Sequence, residues 1–175
     1  ITTGGALRSI GGYAFANCTK LETLNFAEGL TTIYAYAFQN CTSLTSIKLP
    51  DSITTMSARV FQNCTNLSSV NFPKNWNTTY SYYNNNNSES NHHTPFNECS
   101  SLTTITIPEG VTEIPAYAFK GLASLETVKF SSTVEKIGYQ AFRDCTGLKT
   151  VELNENLITI GNQAFYNCNG IKEIE

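Results

Sequence analysis

Phe38-Gln39-Asn40-Cys41-Thr42-Ser43-Leu44-Thr45-Ser46-Ile47-Lys48-Leu49-Pro50 decides the fold, because its apolar residues return at fixed places along the whole chain of 175 residues. The phenylalanine recurs as Phe15, Phe38, Phe61, Phe96, Phe119, Phe142 and Phe165, at intervals of 23 residues except for one of 35. A fixed period of this size marks a solenoid, whose units are too small to bury their own apolar faces and stack on one another. Such an array presents an elongated surface and no single deep cavity, which favours binding over catalysis.

Working outward from the phenylalanine, the third residue on is Cys18, Cys41, Cys64, Cys99, Leu122, Cys145 or Cys168, and the sixth is leucine in every unit but the last, where Ile171 stands. Positions nine and eleven on are apolar and separated by a polar residue, as in Ile47-Lys48-Leu49, the period-two pattern of a half-buried strand. Pro50, Pro73 and Pro108 close this main strand where a backbone donor is no longer needed. Ile10, Ile33, Met56, Ile114, Ile137 and Ile160, five residues before the phenylalanine, predict a second, shorter inward-facing strand. The Ala-Phe step between them, as in Tyr13-Ala14-Phe15-Ala16-Asn17-Cys18, has few β-branched residues and predicts one or two turns of helix laid on the core.

These columns resemble the BspA-like leucine-rich repeat family, the Treponema-type class of 23-residue units with the pattern Ala-Phe-x-x-Cys-x-x-Leu-x-x-Ile-x-Leu-Pro, which Phe38, Cys41, Leu44, Ile47, Leu49 and Pro50 satisfy position by position. Val60 and Pro95 replace the alanine, and Leu122 replaces the cysteine. The resemblance implies an α/β fold: a curved leucine-rich-repeat solenoid of about seven stacked units with a parallel sheet on the concave face. It also implies a place on the surface of bacteria or mucosal protozoa, and a part in adhesion or host contact, by analogy of family.

The expected organisation is a single array over residues 1–175 with an insertion loop at about 77–93. Composition narrows the partners. A net charge of −3 with 14% charged residues leaves no basic face for phosphate, so nucleic acid is not an expected partner. No apolar run approaches the roughly 20 residues that cross a bilayer, and direct membrane insertion by this segment is not expected. The chain starts at Ile1 and shows no capping unit at either end, which reads as an excerpt from a longer protein; low charge with abundant Thr, Ser, Asn and Tyr is compatible with an extracellular setting.

The six cysteines share one column, and Leu122 fills it in the fifth unit, so the site asks for a small apolar filler and the thiols are read as buried and free. A bridge between neighbouring rungs, roughly 5 Å apart, is not sterically excluded. Zinc would need close cysteine pairs or nearby histidines. His92 and His93 are adjacent and point opposite ways in extended chain, which reads as two solvated loop residues. No phosphate loop, nucleophile elbow or metalloprotease element appears, and neither catalytic residues nor a cofactor is expected.

Two places are candidates for ligand contact. The outward column eight residues past the phenylalanine, Thr23, Ser46, Ser69, Thr104, Thr127 and Thr150, presents a ladder of hydroxyls; Thr104 and Thr127 stand at its centre. The extra 12 residues of the fourth unit bring Tyr80, Tyr82 and Tyr83 with a run of asparagines, a mixture antibody loops also use, and Trp76 precedes them at the place of Leu30 and Ile53, where it is expected still to cap the core with its ring edge reaching outward. The expected function is a cell-surface or secreted module that binds an extracellular protein or glycan, and the alternative is a structural spacer or targeting arm that presents other domains.

Overall fold

The computed structural model describes residues 4–80 and 93–174 and carries thirteen short strands among them, paired in parallel along two columns. The shorter-strand column holds β1 (Ser9–Ile10), β2 (Thr32–Ile33), β4 (Thr55–Ser57), β6 (Thr78–Tyr80), β8 (Glu113–Ile114), β10 (Lys136–Ile137) and β12 (Thr159–Ile160). The main column holds β3 (Ser46–Ile47), β5 (Ser69–Val70), β7 (Thr104–Thr106), β9 (Thr127–Lys129), β11 (Thr150–Glu152) and β13 (Glu173–Ile174). Pairing joins equivalent residues of successive units, as in Ile10 with Ile33 and Val128 with Val151. The fold is thus a parallel β-solenoid of about seven turns, and each repeat column becomes one ladder.

The short helix expected over the Ala-Phe step is not formed, and no helix occurs among the described residues. The backbone gives the reason. Residues two before and two after the phenylalanine adopt the left-handed region, for example Tyr36 at φ 61° and Asn40 at φ 59°, which no right-handed helix can include. Between them the phenylalanine amide donates to the next unit, Phe15 N to Ala37 O at 2.8 Å, Phe38 N to Val60 O at 2.9 Å and Phe142 N to Ala164 O at 2.8 Å, while its neighbours bond back three residues, as Ala37 N does to Tyr34 O and Gln39 N to Tyr36 O. Asparagine suits the left-handed position after the phenylalanine, and Gly121 takes it in unit five. Unit four departs at the earlier position: Thr94 has no positive φ, because Pro95 restricts the residue before it to extended backbone.

Inside the coil the seven phenyl rings form a continuous stack, with centroid separations of 5.3, 5.4, 5.7, 6.3, 5.2 and 5.2 Å along the chain. The leucines six residues further on lie beside them, buried from Leu44 to Leu148. Asparagines after the phenylalanines bond side chain to side chain along the array: Asn40 Nδ2 to Asn17 Oδ1 at 2.7 Å and Asn63 Nδ2 to Asn40 Oδ1 at 2.8 Å. Turns after the main strands are tied in the same way, since Asp51 accepts from Lys74 N and Glu109 from Ser132 N, each 23 residues on.

Among the described residues both sheets are interrupted in the middle of the array. The main column splits into β3–β5 and β7–β9–β11–β13, and the shorter column into β1–β2–β4–β6 and β8–β10–β12. Unit four therefore pairs its short strand backward and its main strand forward.

Candidate functional site

Among the expected contact residues, Thr104 and Thr127 are direct cross-strand partners, followed in register by Thr150 and Glu173. Thr104 and Thr150 are exposed and Thr127 is half-buried, while Ile105, Val128 and Val151 point the opposite way into the core. That alternation follows from the two-residue period of a strand, which sends every second side chain to the same face. Charged neighbours flank the hydroxyls: Lys149 pairs with Glu126 at 2.8 Å, with both side chains well exposed. At units six and seven the face dips into an open groove of about 510 Å³ lined by Thr146, Gly147, Lys149, Thr150, Lys172 and Glu173. Close stacking of the units there requires glycine: a Cβ on Gly170 would lie 2.6 Å from Leu148 O.

The aromatic candidates are distributed differently. Trp76 opens its turn as Ile53 does, with its amide bonded to Pro73 O at 3.1 Å, and its indole is only 2% exposed. Its Nε1 donates to Thr78 O at 3.0 Å, and its ring meets Phe72 at 5.0 Å, Phe119 at 6.1 Å and Phe96 at 6.5 Å, the last two edge-on. The outward ring edge expected from the sequence is absent. Trp76 is a core side chain that occupies a column elsewhere filled by smaller aliphatics.

Tyr80 ends β6 with its backbone in register against Ser57. Tyr82, Tyr83 and His92 lie outside the described residues. His93 is half-buried at the start of the unit-four turn. Since Ser57 and Ala58 are consecutive in unit three, the 12 additional residues of unit four are 81–92, and Asn77 to Tyr80 belong to the regular repeat.

Sequence reasoning passed over Thr94, which the fold makes a junction. It is fully buried; its carbonyl accepts from Arg59 N at 2.9 Å, its amide donates to Lys120 O at 3.3 Å, and its hydroxyl donates to Ala118 O at 2.7 Å. The following Pro95 was the available signal, since it moves this residue out of the turn conformation that the other units share.

The cysteine column is a ladder of thiol to carbonyl bonds. Each Sγ donates to the phenylalanine carbonyl of the preceding unit: Cys41 to Phe15 O at 3.3 Å, Cys64 to Phe38 O at 3.1 Å, Cys99 to Phe61 O at 3.2 Å, Cys145 to Phe119 O at 3.1 Å and Cys168 to Phe142 O at 3.0 Å. Burial pushes the Cys99 thiol up to about 12 and Cys168 up to about 11, and drives Cys145 up as well. Cys64 rises through its contact with the Cys41 thiol and through burial. These groups are neutral core fillers. Cys18 differs, being exposed.

Solved structures resembling the chain are bacterial repeat proteins. The leucine rich repeat protein of T. pallidum is 26% identical with a TM-score of 0.63, over 88% of this chain and 67% of that one. A leucine rich cell surface protein of Faecalibacterium prausnitzii is 29% identical with a TM-score of 0.50, over 83% of this chain and 42% of that one. A leucine-rich repeat protein of Eubacterium ventriosum, at 20% identity and a TM-score of 0.69 over 99% of this chain and 43% of that one, shares the fold. The chain thus spans less than half of the latter two proteins. No curated protein matches it. The BspA type leucine rich repeat region matches residues 1–95 and 84–175, in six copies. Those matches cover the entire array, and the chain belongs to the BspA-type leucine-rich repeat family.

Proposed function

We propose that this chain is a binding module of a cell-surface or secreted protein, that it contacts an extracellular protein or glycan, and that this segment performs no catalysis. The observation that carries the reading is the register of the main-strand face, where Thr104, Thr127 and Thr150 stand on adjacent rungs and offer hydroxyl donors and acceptors to an extended ligand. Support for the location comes from the F. prausnitzii neighbour, which is a cell surface protein. Tyr80, Tyr82 and Tyr83 are the proposed aromatic anchors; tyrosine carries much of the energy of interfaces where it is engaged. Trp76 contributes from the core, holding the turn from which those residues depart.

The test is binding of the parent chain, a deletion of residues 81–92, and a Thr104→Arg/Thr127→Arg variant to panels of extracellular-matrix proteins and glycans. The deletion is expected to stay folded and to lose at least tenfold in affinity, about 1.4 kcal/mol, when the tyrosines are the anchors. Loss confined to the arginine variant would move the contact to the main-strand face. A well-folded parent that binds no member of either panel would favour the structural spacer.

A further inference from the structure

We propose that unit four is a built-in joint, and that the array consists of two stiff blocks whose mutual angle varies about the turn between Thr94 and Leu102. In a stacked array stability is the sum of unit terms and nearest-neighbour terms, so the place where neighbour terms are missing is the place that yields. Among the described residues four ladders that run through the array lapse around this unit, and a fifth, the phenyl stack, is at its widest.

The shorter sheet stops between β6 and β8. In units two, six and seven the residue four before the phenylalanine donates its amide to the preceding rung, as Tyr34 N does to Ile10 O, Gly138 N to Ile114 O and Gly161 N to Ile137 O. In unit five that residue is Pro115, which has no N–H to give. The main sheet stops between β5 and β7, and Val70 is left half-buried where Leu24, Ile47, Ile105, Val128 and Val151 are buried. The asparagine ladder ends at Asn63, because Glu98 and Gly121 follow it in the column, and it resumes as Asn167 Nδ2 to Asp144 Oδ1 at 2.9 Å. The thiol ladder skips unit five, where Leu122 leaves the Phe96 carbonyl without an Sγ donor. The phenyl stack is widest here, at 6.3 Å between Phe96 and Phe119, with the large Trp76 indole edge-on to both rings.

Across the joint one sheet remains on each side, β4–β6 towards unit three and β7–β9 towards unit five, together with the turn amides Phe61 N to Pro95 O at 2.8 Å and Asn63 N to Asn97 O at 3.0 Å, and side chains add to these. The Thr94 hydroxyl reaches Ala118 O, Ser101 Oγ donates to Thr65 O at 2.7 Å, and Ser124 Oγ donates to Leu102 O at 2.9 Å. Towards unit five the rotatable Thr94 hydroxyl takes the place of the direct phenylalanine amide bond that the other turns make. A ligand laid along the main-strand face meets one patch on β3–β5 and another on β7–β13, and the joint lets the two adjust independently.

Two measurements on the folded chain test this. Amide-resolved hydrogen exchange should find the amides of Thr103, Thr104, Thr112 and Glu113, which have no carbonyl partner on the preceding rung, at least about tenfold less protected than those of Glu126, Thr127, Glu135 and Lys136, which have one. Nitroxide pairs on a Cys18→Ser background should give a distance distribution about twofold broader across the joint, between Lys48→Cys and Lys149→Cys, than within one block, between Thr106→Cys and Lys172→Cys. A Pro115→Gly/Leu122→Cys variant restores an amide and a thiol donor and should narrow the cross-joint distribution. Equal protection and equal widths in the parent would overturn the joint. A parent distribution that stays broad in the folded double variant would overturn its assignment to the missing bonds.

Discussion

The hydroxyl of Thr94 donates to the carbonyl of Ala118 at 2.7 Å and at the same time accepts from the amide of Phe96 at 3.2 Å, so one buried side chain stands in for the direct amide to carbonyl bond that other neighbouring units make at the phenylalanine. Thr94→Val keeps the shape and removes both bonds. Stranding a buried carbonyl and a buried amide costs about 1–3 kcal/mol each before relaxation. The denaturant midpoint should fall clearly, and a midpoint equal to the parent's would show that Ala118 finds another donor.

Phe119→Ala should be among the most damaging single changes. The ring is buried, stacks 5.2 Å from Phe142, and also meets Phe96, Phe72 and Trp76, so its loss empties the centre of the aromatic cluster. Truncations of this kind cost about 3–5 kcal/mol. Calorimetry is the check; a melting temperature within error of the parent would contradict the central place given to this ring.

Thiol reactivity should divide one against five. Cys18 is exposed and should be titrated by an aromatic disulfide reagent in the native protein, whereas the other five are buried and should react only after denaturation. Native reaction of two or more thiols would indicate that the stack opens on the time scale of the assay.

Stability should decline in alkali. The Cys99 thiol has an ordinary value of 9.0 and is held at about 12 by burial, so above pH 9 the unfolded chain releases a proton that the folded chain retains. Stability from such a group is complete below the unfolded value and is lost as pH rises towards the folded one, at up to about 1.4 kcal/mol per pH unit. Cys168, raised to about 11, acts in the same direction over a narrower range. Cys99→Ala should flatten the fall in melting temperature between pH 9 and pH 10.5, and an unchanged slope would remove this thiol from the account.

The two strand columns, the inward phenylalanines and the cysteine ladder were legible because a repeated core position must be apolar in every unit, so its demand is written into the chain seven times over. Identity of the column was enough to place Cys41, Leu44 and Ile47 on one inner surface before any coordinates. The turn was not legible in the same way. Ala-Phe-x-x-Cys has adequate helix propensity, yet alternate amides of the turn, as in Phe38 and Asn40, pair with the next unit, and a bond to a residue 22 positions away cannot be read from a local window.

Of the candidate site, the sequence determined which side chains stand on adjacent rungs, since the 23-residue period alone puts Thr127 opposite Thr104. Only the tertiary structure decided that the outer ring edge of Trp76 is enclosed as well and that both sheets lapse around unit four, because those outcomes depend on the volume of an indole between two phenyl rings and on which amides find a partner across units. Repetition fixes what every unit has in common, and packing settles what happens where one unit differs from its neighbours.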